Sequence, residues 1–319
     1  MISIMLYHQN WITEGFFFEW IRMLGYIGVE VFLFISGFGI AHSLMKNTLW
    51  QYYKNRVIRL MPACILFGLC KIVLSNIPTM PPVQNLFLDL FSLSQWYIYA
   101  IVVFYLFAPV VYKMINKVGG FFFVVIIITY IIICFWQYDA EASYLIKYGR
   151  WIIKRFPVFV FGMNIALKPM KLETSKMVLW GVLAALANVV VFRYIILANA
   201  NPTSSDFFIR LAMSLPDKSV IPDNGRFILD MFSVLLLIPL FAFIAFLLEK
   251  IYISFPVKWI GKYSLEIYLC HQYIFKVVSE HFVMYPVVAL VVSSCLSFVV
   301  AYVIGAMANP IKKIVARFI

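Results

Sequence analysis

Long apolar runs separated by short polar breaks set the pattern of this chain. The runs fall near residues 24–45, 57–76, 95–115, 119–137, 151–167, 177–197, 227–248, 259–279 and 286–308. Each approaches the roughly 20 residues that carry an α-helix across the hydrocarbon core of a bilayer. The runs are continuous, not alternating, which speaks against the period-two pattern of a membrane barrel. A shorter apolar stretch, 1–7, opens the chain. As helix it would span about 10 Å, a third of that core. The expectation is an all-α, polytopic transmembrane helical bundle with nine full helices plus a truncated first helix, the rest of that helix lying upstream. The one long connection, about 198–226, is rich in Asn, Pro, Ser and Asp, and 207–214 within it reads as a short interfacial helix. No stretch has the composition of a soluble domain, so residues 1–319 read as a single membrane domain.

Composition sharpens this. Apolar residues make up 64% of the chain, charged residues 13%, and mean hydropathy is +0.94, against roughly 25% charged in a soluble domain. The net charge of +12 sits between the apolar runs, where it orients helices and meets anionic lipid; nucleic acid is not an expected partner. Basic residues mark alternate loops: Lys46, Lys54, Arg56 and Arg59; Lys113 and Lys117; Lys168, Lys171 and Lys176; Lys250 and Lys258; Lys312, Lys313 and Arg317. The intervening loops lack a positive excess. These basic loops and the carboxyl terminus are therefore expected in the cytoplasm, with 9–23 and 198–226 outside. The five cysteines (Cys64, Cys70, Cys134, Cys270 and Cys295) lie within apolar runs without metal-ligand spacing and read as buried thiols. No cleavable signal, phosphate-cradling glycine loop or Gly-x-Ser-x-Gly elbow is visible.

Ionisable side chains at membrane depth are the candidates for chemistry, because their burial is expensive. Glu30 lies in the outer third of its run, where Ser36, Gly37 and Gly39 also favour close helix packing; a functional and a packing reading both stand. Arg56 and Arg59, one helical turn apart at the cytoplasmic border, suit bidentate phosphate binding or positive-inside anchoring. Pro62 after them is a natural helix start. Arg155 lies deeper than anchoring requires. Ser264, Tyr268 and His271 share one helical face at i, i+4 and i+7, with Glu266 beside them, the pattern of a polar cavity or of a hydrogen-bonded core. His8, taken alone, is an ordinary interface residue.

The ordered set of segments resembles the acyltransferase 3 family of integral membrane O-acyltransferases, which modify sugars of surface polysaccharides and related acceptors. The pieces are His8, Gly25-Tyr-Ile-Gly-Val-Glu-Val-Phe-Leu-Phe-Ile-Ser-Gly-Phe38, Tyr53-Lys-Asn-Arg-Val-Ile-Arg-Leu-Met-Pro62, Gln95-Trp-Tyr97 with Pro109, Arg155-Phe-Pro-Val-Phe-Val-Phe-Gly162, and Ile260-Gly-Lys-Tyr-Ser-Leu-Glu-Ile-Tyr-Leu-Cys-His271. The resemblance implies acetyl-CoA or another acyl-CoA as donor, no metal, and a carbohydrate or glycolipid acceptor at the plasma membrane. It implies His8 as base or acyl carrier, with Glu30 or Glu266 orienting it. It places Arg56, Arg59 and Arg155 on the donor's side of the site and Ser264, Tyr268 and His271 in the substrate cavity. The family's charged residue ahead of the histidine would lie upstream of this chain. A transporter or flippase, or an inactive truncated relative, is the competing expectation.

Overall fold

The computed structural model describes residues 4–5, 16–74, 90–91, 95–119, 128, 144–168, 176, 178–179, 182–183, 186, 255–281 and 286–318. Among them are seven helices and no strand: α1 (Phe16–Lys46), α2 (Leu49–Leu74), α3 (Trp96–Val118), α4 (Tyr144–Leu167), α5 (Phe255–Lys262), α6 (Ser264–His281) and α7 (Pro286–Phe318). Gly28–Lys46 of α1, Trp96–Val118 and Val288–Phe318 of α7 are each long and apolar enough to cross a membrane. Six of the nine expected runs coincide with described helices. The runs 119–137, 177–197 and 227–248 lie outside the described residues apart from isolated helical positions, as do His8 and the 198–226 connection.

Boundaries differ where local chemistry overrides hydropathy. Pro62 does not begin a helix; it lies inside α2, which starts at Leu49. The start is set by a capping box: the Gln51 amide donates to Thr48 Oγ1 at 3.3 Å, and the Thr48 amide donates to Gln51 Oε1 at 3.1 Å. Asn47 Nδ2 donates to the Ser43 carbonyl at 2.9 Å, closing α1. The expected 259–279 helix is divided at Tyr263 into α5 and α6, and α7 runs ten residues past the apolar run that ended at 308.

Packing divides the chain into two units. One comprises Met1–Val29, His42–Val110 and Ile253–Ile319; the other comprises Glu30–Ala41 and Val111–Tyr252. In the first, α6 and α7 form an antiparallel hairpin. Tyr263 meets Tyr302 with ring centroids 5.7 Å apart, and Cys270 Sγ lies 3.5 Å from the Ser297 carbonyl, so numbering rises along α6 as it falls along α7. The buried face of α7 is a small-residue stripe, Ala289, Ser293, Ser297, Ala301, Gly305 and Ala308, which lets helices approach closely where lipid supplies no hydrophobic drive. Ser293 and Ser297 donate to the carbonyls four residues earlier, at 2.6 and 2.7 Å, so neither carries an unmet hydroxyl into the bilayer. Away from that stripe α7 exposes Val291, Val299 and Met307, as α3 exposes Leu106, Phe107 and Val110, apolar side chains of the kind that lipid accepts.

Helix α3 is tied to α2 by a proline. Pro109 has no N–H, so the Tyr105 carbonyl four residues earlier loses its helical donor. Tyr52 Oη donates to that carbonyl at 2.9 Å, and Tyr53 Oη donates to the Leu106 carbonyl at 3.0 Å. Backbone groups without water must find such partners.

In the second unit α1 and α4 cross at glycines. A Cβ on Gly37 would strike the Phe159 carbonyl oxygen, and one on Gly162 would strike that of Phe34. Glu30 meets Arg155 about two turns before the crossing glycine on each helix. Residue numbers therefore rise together and α1 runs parallel to α4. Gly119, with φ 71°, ends α3 in the left-handed conformation, its amide donating to the Ile115 carbonyl at 2.9 Å. A Cβ there would lie 3.1 Å from Lys168 Nζ, so α3 and α4 end on the same side. Alternate basic loops require both relations.

Candidate functional site

The described polar side chains form three groups. The first is at the α1–α2 corner, built on the capping box and the tyrosine clasp. Arg56 projects from the second turn of α2. Its guanidinium carbon lies 5.7 Å from the Tyr52 ring centroid and 5.6 Å from that of Tyr105, within cation–π range of both. Nη2 donates to Ser43 Oγ at 3.2 Å. Nε is buried with no hydrogen-bond acceptor among the described residues. Arg59, one turn on, is exposed. Neither arginine has a carboxylate partner among the described residues. Among the described residues this corner shows positive charge facing aromatic rings and a hydroxyl, groups that orient a guanidinium without neutralising it.

The second group is the Glu30–Arg155 pair. Arg155 Nε lies 2.8 Å from Glu30 Oε1, and the two side chains are 5% and 3% exposed. From sequence these residues have separate expected tasks, Glu30 in catalysis and Arg155 on the donor. The structure brings them together on crossing helices. At such depth each ion needs the other, because removing either leaves an uncompensated buried charge. Glu30, Phe34 and Gly37 follow i, i+4 and i+7 on α1, as Arg155, Phe159 and Gly162 do on α4. Charge pair and glycine crossing thus lie on the same two faces.

The third group lies on α6. Glu266 is in its first turn, buried, with Lys312 Nζ 3.6 Å from Oε1. Cys64 of α2 and Cys270 are within its electrostatic reach. Two residues on, Tyr268 packs against Tyr97 of α3 with ring centroids 4.5 Å apart, and Gln95 Nε2 donates to the Leu269 carbonyl at 2.9 Å. His271 is fully buried. Its Nδ1 lies 2.7 Å from the Tyr268 carbonyl and 3.1 Å from that of Ile267. Carbonyls only accept, so Nδ1 carries a proton and donates it to them. Tyr268 and His271 therefore share one buried neighbourhood, with ring centroids 5.4 Å apart. Ser264 does not join them. It opens α6 at the turn and donates to the Gly261 carbonyl at 2.9 Å.

Two participants were missed from sequence. From sequence Lys312 reads only as a cytoplasmic anchor, although it falls four residues after Ala308 on the buried face. Tyr52 carried a weaker signal, a tyrosine pair one turn before the arginines. No group of three or more metal-ligating side chains occurs among the described residues. Residues 1–306 match a family described as an acyltransferase domain. No curated protein and no solved structure gives a significant match.

Proposed function

Because the chain belongs to the acyltransferase 3 family of membrane acyltransferases, we propose that it moves an acyl group, acetyl first among the candidates, from acyl-CoA to a hydroxyl of a sugar or glycolipid. The observation that carries this reading is the charge imbalance at the α1–α2 corner. Arg155 and Lys312 each face a carboxylate, whereas Arg56 and Arg59 do not, among the described residues. Two guanidinium forks one turn apart, facing no carboxylate among the described residues, suit the phosphates of a CoA donor. Arg155, expected on the donor as well, has Glu30 at hydrogen-bond distance and enters the mechanism as the group that fixes that carboxylate.

In the proposed reaction His8 takes the proton of the acceptor hydroxyl. The oxygen attacks the thioester carbonyl, the C–S bond breaks, and the CoA thiolate leaves with the proton that His8 held. Glu30 or Glu266 orients the imidazole. Tyr268 and His271 line the acceptor's path. The basic ends face the cytoplasm, where acyl-CoA is made, in the plasma membrane with the carboxyl terminus inside. The acceptor class follows the family.

Equilibrium binding of CoA to the detergent-purified chain tests the donor site. Arg56→Ala and Arg59→Ala should each weaken binding about tenfold or more, since a hydrogen bond to a charged group contributes about 1.5–3 kcal/mol. Arg56→Lys should recover little, because an ammonium lacks the planar fork. Equal affinity in all four proteins would leave these arginines as membrane anchors.

A further inference from the structure

We propose that Lys312 is the positioning residue for Glu266, a role that rests on the reading of Glu266 as a carboxylate used in acyl transfer. The register of α7 carries the argument first. Its buried face steps through Ala289, Ser293, Ser297, Ala301, Ile304 and Ala308, and the next position at this spacing is 312. A lysine therefore stands where the pattern calls for a small or apolar side chain. Lys313 and Arg317, off that face, are exposed as anchoring residues should be.

The surroundings agree. The Lys312 side chain is 25% exposed and that of Glu266 5%, so the ammonium enters from the rim and the carboxylate is sealed. A separation of 3.6 Å is longer than a tight charge-assisted hydrogen bond, so charge more than a fixed donor geometry joins them. Gly305, seven residues before Lys312 on the same face, leaves the space. A Cβ there would come 2.6 Å from the Tyr263 ring and 3.8 Å from Glu266 Oε1. Lys262, four residues before Glu266, lies over the Tyr263 ring at 5.2 Å from its centroid. A buried carboxylate without a cation is costly, and Lys312 supplies one from beyond residue 306, where the family match ends. Lys312 acts through Glu266 and touches neither donor nor acceptor.

Two measurements on the full chain decide this. The first uses dicyclohexylcarbodiimide, which modifies membrane-embedded carboxyl groups that lack a paired cation, with the labelled peptide quantified by mass spectrometry and Glu266→Gln as the blank. Wild type and Lys312→Arg should label little, and Lys312→Met should label at least threefold more. Equal labelling of wild type and Lys312→Met overturns the proposal without touching the reading of Glu266. The second is transfer from acetyl-CoA to methyl glycosides. Lys312→Met should lower kcat about tenfold with the donor KM unchanged, Lys312→Arg should restore most of it, and adding Lys312→Met to Glu266→Asp should cost less than it does alone. A raised KM at unchanged kcat would make Lys312 a donor-binding residue, and full additivity would make its role independent of Glu266; either result overturns the proposal. Full activity of Glu266→Gln would remove the reading on which it rests. Should Lys312→Met fail to fold, Lys312→Gln carries both assays.

Discussion

At Arg155 a guanidinium lies 2.8 Å from a buried carboxylate, whereas at Arg56 two tyrosine rings and a serine hydroxyl surround the same group. The difference predicts different phenotypes. Arg155→Met leaves Glu30 charged and buried, and should destabilise the protein by about 3–5 kcal/mol, the usual cost of breaking a buried pair from one side. Thermal unfolding in detergent should show it as a large fall in midpoint, and Arg155→Met/Glu30→Gln should recover part of that fall. A midpoint unchanged by Arg155→Met would mean that the pair is not formed. Arg56→Ala should unfold near the wild-type temperature while CoA binding suffers. None of this was legible from residue types. Glu30 and Arg155 are 125 positions apart, and neither residue alone identifies the other as its partner.

Among the elements, the α1–α4 crossing and the proline clasp make the firmest mutational claims. Gly37→Ala and Gly162→Ala each place a methyl group against a backbone oxygen of the partner helix, so the helices must separate and the Glu30–Arg155 pair with them. Gly39 offers the internal control, since nothing lies within 4 Å of a Cβ there. Unfolding midpoints should fall for Gly37→Ala and Gly162→Ala. For Gly39→Ala they should hold or rise, because alanine is favoured in a helix by about 1 kcal/mol. Equal effects at all three would contradict the crossing. Tyr52→Phe should also destabilise, by leaving the Tyr105 carbonyl without the donor that Pro109 withholds. Hydropathy found six of these helices because apolar length is what a bilayer demands. It misplaced the start of α2 because Thr48 and Gln51 set that start by hydrogen bonding, and charge-rich first turns hide it from any apolar count. Close packing at Gly37 was legible; its partner on α4 was not, because close approach depends on where two distant segments meet.

Across the whole molecule, the relation of helix ends within each unit agrees with the alternation of basic loops. Parallel α1 and α4, the shared side of the α3 and α4 ends, and the antiparallel α6–α7 hairpin are all required by it. Which side faces the cytoplasm rests on charge alone. Single cysteines placed at Lys171 and Ser204 should settle it in intact cells: an impermeant maleimide should label the second and spare the first, and the reverse would invert the topology. The family was legible in the order of short motifs because each motif performs a local task. The proposed division of labour among Arg56, Arg155 and Lys312 was not, because it depends on which charges are already paired.

Transfer of acetyl label from acetyl-CoA tests the central claim most directly. The purified chain, incubated with donor labelled in its acetyl group and with sugar acceptors, should form a sugar ester that mild base releases as labelled acetate. His8→Ala should insert normally and lose roughly 10²–10⁴-fold of that activity, the usual contribution of a positioned general base. Label passing to acceptor at the same rate with His8→Ala as with the wild-type chain would contradict the account.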